Sequence, residues 1–179
     1  MHRHPTPRRA SVATILVTTL IVAGCTTATE SAAEAGDTVE VRLVDFGFEG
    51  LPDEVAAGTQ LTITNEADAE LHELVAFRLA DDENRSVTDL AQLPPEELMA
   101  TLGDPVTVLL AEPGGETVAA VGDGTLTEPG RYAILCFIPT GVDPSEYLQA
   151  AAESEGGPPQ VDGGPPHFVH GMIAELTVR

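Results

Sequence analysis

Gly130-Arg131-Tyr132-Ala133-Ile134-Leu135-Cys136-Phe137-Ile138-Pro139 is an unbroken apolar run from Tyr132 to Ile138, entered through a Pro129-Gly130 turn and closed by a proline. A short apolar run between turn signals predicts a strand buried on both faces, here carrying a cysteine at its end. Outward from it, the same kind of segment recurs. Val39, Val41 and Leu43 alternate with Glu40 and Arg42, the period-two pattern of a half-buried strand, and Phe46 and Phe48 follow before a turn at Pro52. Gly58 opens a second alternation, Leu61 and Ile63 against Thr62 and Thr64, which closes at Asn65. Leu74–Leu79, Val106–Ala111, Thr117–Val121 and Met172–Val178 are further strand-like runs. Many short strands separated by turns, without a βαβ alternation, predict an all-β fold, a Greek-key β-sandwich or barrel.

Two stretches break the strand pattern. Between Ser86 and Gly103, Thr88-Asp89-Leu90-Ala91 and Pro94-Pro95-Glu96-Glu97-Leu98-Met99 predict one or two short helices beside the sheet, with proline and early acids at a first turn. Between Ile138 and His167 the chain holds Pro139, Pro144, Pro158, Pro159, Pro165 and Pro166 among five glycines, and it predicts a long insertion, 139–166, with a short helix from Pro144 to about Glu153.

The whole chain is 179 residues with 42% hydrophobic and 21% charged residues, enough for one domain with a real core and unlike a disordered chain, a coiled coil or a polytopic membrane protein. With 29 acidic residues against 8 basic ones, all arginine, the net charge is −21. No basic patch can be assembled to displace the counterions of a nucleic acid, so nucleic acid is excluded as a partner and basic proteins or metal cations suit the surface.

Arg3, Arg8 and Arg9 followed by the apolar stretch Ala10–Ala23 read as a secretion leader, too short and polar to span a bilayer. Val22-Ala23-Gly24-Cys25 resembles a bacterial lipobox, which implies a signal peptide at 1–24 and a lipidated Cys25; an ordinary signal peptide with an incidental cysteine is the alternative. The aperiodic Ala, Thr, Glu, Ser and Gly that follow read as a flexible tether, 25–37, before a domain spanning 38–179. Such a protein is exported and held on the outer face of the bacterial cytoplasmic membrane by its lipid alone.

With Cys25 lipidated, Cys136 has no disulfide partner in an oxidising compartment, and metal coordination is the common way to hold such a thiol. Beyond the leader the histidines are His72, His167 and His170. His72 opens a strand after a polar turn, and His167, His170 and Met172 precede the last strand, so strand ends at one pole bring these donors near Cys136. A thiolate, two imidazoles and a weak axial thioether make a blue-copper electron-transfer site.

These residues resemble the cupredoxin family of plastocyanin-like and azurin-like type 1 copper proteins. The resemblance lies in Phe48-x-x-x-Pro52, Val55, Gly58-Thr59-x-Leu61-x-Ile63-x-Asn65, His72 and Val75-Ala76-Phe77, then in Gly130-x-Tyr132-x-x-x-Cys136-x-x-Pro139 and Pro166-His167-x-x-x-Gly171-Met172. It covers about Val39 to Val178 and implies a single type 1 copper held by His72, Cys136, His167 and Met172. His167 precedes Met172 by the family's five positions, and His170, at two, does not. The departure is the 31-residue step from Cys136 to His167; deleting Thr140–Pro166 leaves a compact ligand loop, so 27 residues read as inserted with both flanks returning to one point. A backbone N–H on the Cys136 sulfur is expected, and Glu70 and Glu73, flanking His72, are expected to be solvated charges, the alternative being an oxygen near the site that alters the metal's geometry.

The function implied is single-electron transfer between redox partners, one of them a basic protein. Copper capture and delivery with the same ligands, or a metal-free interaction module, are the alternatives. An enzyme is not expected: three histidines cannot furnish a second copper centre, and no Ser-His-Asp triad, phosphate loop or HExxH helix is present.

Overall fold

The computed structural model describes residues 36–154 and 159–179; the leader, Cys25 and nearly all of the tether lie outside them. Among the described residues the strands run β1 Thr38–Val44, β2 Gly47–Glu49, β3 Glu54–Val55, β4 Thr59–Asn65, β5 His72–Arg78, β6 Thr107–Ala111, β7 Val118–Val121, β8 Thr125–Leu126, β9 Gly130–Leu135 and β10 Ile173–Val178. Helices α1 Val87–Leu90, α2 Pro95–Leu102 and α3 Pro144–Glu153 and a 3-10 turn, His167–His170, complete the order.

The strands form two sheets, β2-β1-β4-β8 and β3-β10-β9-β5-β6-β7. In the larger one β5, β6 and β7 follow one another as a meander, and β9 returns by a long connection to lie on the other side of β5, the strand order of a Greek key. Period-two alternation aims Val41, Leu43, Leu61 and Ile63 of the small sheet at Leu74, Ala76, Leu109, Ile134 and Leu176 of the large one, and these make the sandwich core.

The excursion between β5 and β6 covers the opposite face of the large sheet. Val75, Phe77, Ala133 and Leu135 pack there against Val87 and Leu90 of α1 and Leu98 and Leu102 of α2. That second layer is why β5 and β9 read as continuous apolar runs rather than alternating ones. Ser86 caps α1 by accepting from the Asp89 N–H, and Pro95 starts α2, which stops at Gly103 with φ 70°. β7 is different: Val118, Ala119, Ala120 and Val121 are all exposed on an edge strand. β3 and β8 are two residues each, too short to leave a period in the sequence.

The strand expected to run to Ile138 ends at Leu135. Cys136 makes one further contact with the neighbouring strand, its N–H donating to the Met172 carbonyl at 3.3 Å, and then the chain turns away. The two flanks of the long segment that follows do return to one point, as the compact ligand loop implied: Pro139 bridges Pro166, the Thr140 N–H donates to the Pro165 carbonyl at 3.1 Å, and that of Gly164 to Thr140 at 2.9 Å. Asp143 caps α3 inside it, accepting from the N–H groups of Ser145 and Glu146.

Asn65 fixes the entry into β5. Its buried amide donates to the carbonyls of Glu70 and Ala111 at 2.9 and 2.8 Å, and its oxygen accepts from the Ala67 N–H at 2.9 Å. Ala111 is the residue that pairs with His72. Asn65→Ala removes three hydrogen bonds and strands buried backbone groups, and we expect a loss of about 3 kcal/mol in urea unfolding of the metal-free protein. A loss under ~1 kcal/mol would contradict this role for the amide.

Candidate metal centre

Three segments meet at one end of the sandwich. The register that sets Val75 opposite Leu135 carries on to set Glu73 opposite Phe137, so His72 and Cys136 come to the same end of adjacent strands. His167 is delivered by the 3-10 turn, tied to the cysteine segment by its N–H to the Ile138 carbonyl at 3.0 Å and by the Phe168 N–H to the Cys136 carbonyl at 2.9 Å. The Met172 N–H returns to the His167 carbonyl at 3.2 Å. Gly171, φ 106°, makes the bend between the turn and β10, a conformation that residues with a Cβ rarely adopt.

Within this knot the Nδ1 atoms of His72 and His167 stand 3.0 Å apart and the Cys136 sulfur is 3.4 Å from Nδ1 of His167. Donor atoms of all three residues lie within 4.8 Å of one another, and each side chain is fully buried. Met172 is fully buried beside them, joined through its backbone to both His167 and Cys136. His170 is not brought in; it is exposed at the surface, its ring 4.9 Å from that of Phe46. Phe46 also stands edge-on to His167 at 5.2 Å, and it does so from a left-handed backbone, φ 60°, that costs a bulky residue about 1–2 kcal/mol. Nothing in the sequence marked it, since the adjacent Gly47 is the residue expected to take such a conformation.

The charge states follow from burial. Burial first, and then the neighbouring His167, lowers His72 to about 4; burial likewise lowers His167. Burial, then the adjacent Glu73, pushes the Cys136 thiol well above its ordinary value. Two neutral imidazoles and a thiol are thus crowded together, and neither Nε2 has a hydrogen-bond partner. The nearest carboxylates, Asp45 at 3.8 Å from His72 and Glu70 at 3.5 Å from His167, stand too far away to serve. Each buried polar atom left so costs about 1–3 kcal/mol.

A soft cation between the two Nδ1 atoms and the Cys136 sulfur answers the crowding of those three donors; it leaves each Nε2 as it stands. Metal–nitrogen bonds of about 2.0 Å and metal–sulfur bonds of about 2.3 Å permit nitrogen–nitrogen separations up to ~4.0 Å and nitrogen–sulfur separations up to ~4.3 Å. The observed 3.0 and 3.4 Å lie inside these limits, and the His72–Cys136 pair lies within 4.8 Å. With two imidazoles, one thiolate and a buried thioether close by, the donor set fits one type 1 copper.

The glutamates beside His72 do not behave as solvated charges. Glu73 is 4% exposed; its carboxylate accepts from the Phe137 N–H at 2.9 Å and lies next to Tyr147 of α3, and burial pushes it up to about 7. Its own N–H donates to the Cys136 sulfur at 3.5 Å, the contact expected for that thiol. Glu70 accepts from the Gly141 N–H at 3.2 Å while lying next to His167. An acid inside the buried run from Leu71 to Phe77 was the signal for Glu73.

No protein-family model and no curated protein matches the chain. Solved structures do. A dithionite-reduced auracyanin from the photosynthetic bacterium Roseiflexus castenholzii is 22% identical over 81% of this chain and 98% of its own, with a TM-score of 0.42. Auracyanin B is 20% identical over 80% and 88%, with a TM-score of 0.37. Auracyanin A, described as a "blue" copper protein from the green thermophilic bacterium Chloroflexus aurantiacus, is 18% identical over 79% and 98%, with a TM-score of 0.38. At these identities and scores, the metal assignment stands on the donor atoms of this chain.

Stability of the metal-free protein should carry two opposed pH dependences. His72, lowered when folded, contributes stability that is present above 6.5 and lost as pH falls toward 4, whereas Glu73, raised when folded, contributes stability that is present below 4.5 and lost as pH rises toward 7. Glu73→Gln removes the second, so its stability should rise with pH more steeply than wild type between 4.5 and 7, by up to about 1.4 kcal/mol per pH unit. Urea midpoints measured across that window check this, and parallel curves would contradict it.

Proposed function

We propose that this is an exported, lipid-anchored type 1 copper protein that carries single electrons between redox partners and is not an enzyme. The observation that carries the reading is the convergence of the His72 and His167 Nδ1 atoms and the Cys136 sulfur, all three side chains fully buried. His72, Cys136 and His167 hold the metal and Met172 is the weak axial ligand. Copper, when bound, supplies a one-electron couple between its cupric and cuprous forms.

The chain's own part is to make that exchange undemanding. Cys136 gives up its proton to become a ligand, and the Glu73 N–H, already on the sulfur, stabilises the negative charge left there. Burial of all three donors excludes water, and the backbone ties among Cys136, Ile138, His167 and Met172 hold them in one arrangement in either oxidation state. Phe46 covers His167, and exposed His170 and Val169 lie at the surface on the same turn. An excess of 29 acids over 8 bases favours a basic partner. Among the described residues no helix is long and apolar enough to cross a membrane, and we assign attachment to a lipid on Cys25. Copper capture and delivery is the second reading, favoured by the complete burial of both imidazoles.

Reconstitution with Cu(II) tests the assignment. We expect an intense thiolate-to-copper band in the visible, abolished by Cys136→Ser and kept by His170→Ala, together with a reversible one-electron potential. A band without a reversible potential would favour delivery over transfer. A folded protein with a reduced Cys136 and no band would refute the copper reading and leave a metal-free module.

A further inference from the structure

We propose that the segment between Pro139 and Pro166 is a working part of the metal centre, fastened to it by two carboxylates and holding its Cys136 and His167 donors in position. The proposal deepens the copper reading and rests on it.

An inserted loop needs only a neck to close, and this one has a neck: the Pro139–Pro166 bridge and the paired backbone of Thr140, Gly164 and Pro165. Its contacts nevertheless continue inward. Val142 and Tyr147, both nearly inaccessible, join the same apolar cluster as Cys136 and Met172, so α3 is packed onto the donors' own surroundings.

The polar contacts are more specific. Glu73 accepts from the Phe137 N–H at 2.9 Å and stands next to the buried Tyr147 of α3, while its backbone N–H is on the Cys136 sulfur at 3.5 Å. A buried carboxylate with no ion-pair partner among the described residues persists only where polar neighbours satisfy it, and the inserted helix sets the Tyr147 side chain beside it. Glu70 ties the segment down on the histidine side, beside the His167 ring but without a hydrogen bond to it. Its two oxygens accept from the Gly141 N–H at 3.3 and 3.2 Å, and one of them stands 3.5 Å from the otherwise unpartnered Nε2 of His167. Outer partners of this kind orient ligands and tune the metal they hold. Tyr147 and Glu73 are positioning residues: neither is a ligand, and both act through the cysteine segment.

The full chain is tested in four variants, Tyr147→Phe, Glu73→Ala, Glu73→Gln and, as a control on the exposed side of α3, Gln149→Ala. Alkylation of Cys136 in the metal-free protein, mapped by peptide mass spectrometry, is followed beside the copper-thiolate band and the potential of the loaded protein. Tyr147→Phe and Glu73→Ala should speed alkylation by roughly fivefold or more, the effect of one lost polar contact. The same fivefold change in relative affinity for the two oxidation states corresponds to about 40 mV at 59 mV per tenfold. Glu73→Gln, which keeps an acceptor for Phe137, should stay nearer wild type than Glu73→Ala, and Gln149→Ala should change nothing.

Wild-type alkylation, band and potential in Tyr147→Phe would overturn the proposal, even if its melting temperature fell. If the wild-type protein gives no thiolate band, the copper reading fails and the alkylation rates decide alone: faster modification supports the fastening, and an unchanged rate overturns it.

Discussion

The register between β5 and β9 is the constraint on which the rest depends. With Val75 opposite Leu135, His72 and Cys136 arrive together at one end of the large sheet, and a slip of one residue would turn the cysteine to the opposite face. The register is fixed by burial on both sides: the sandwich core takes Leu74, Ala76 and Ile134, and the α1–α2 layer takes Val75, Phe77 and Leu135. The helical excursion, remote from any metal chemistry, thus holds the donors by making the sheet two-sided.

Where the ladder stops, side chains replace it. Phe137, the next residue in register, gives its N–H to the Glu73 carboxylate instead of a strand carbonyl, and the chain is freed to turn into the inserted segment. Across the site Cys136, Ile138, His167 and Met172 exchange four backbone hydrogen bonds if Phe168 is included, so the second histidine is bound to the cysteine segment however long the loop between them. Loop closure grows only slowly more demanding with length, about 0.6 kcal/mol for each doubling, which lets 30 residues sit between two ligands.

Much of this was legible in the residues. His72, Cys136 and His167 stood out because their types, their order and the step from His167 to Met172 are unusual together, and the structure does gather the first three. Deleting Thr140–Pro166 left a compact ligand loop, which implied that both flanks return to one point, and Pro139 and Pro166 do meet. What the sequence hid has physical reasons. Glu70 and Glu73 looked like ordinary surface acids because composition carries no record of partners such as Gly141 and Tyr147, distant in sequence. Phe46 takes a positive φ beside a glycine that could have taken it, and β3 and β8 are too short to show any period. Strand limits shifted at Leu135 because the ladder there ends in a side-chain contact.

The central claim is that the donors are already arranged for copper before it binds. Diffraction from crystals of the metal-free and copper-loaded protein, with anomalous data at the copper edge, tests it most directly. The account predicts one anomalous peak among Nδ1 of His72, Nδ1 of His167 and the sulfur of Cys136, with the Met172 sulfur alongside and the ligand backbone displaced by less than about 0.5 Å. Copper bound elsewhere, or bound here only after His167 or the Pro139–Pro166 segment has moved well beyond that, would contradict it.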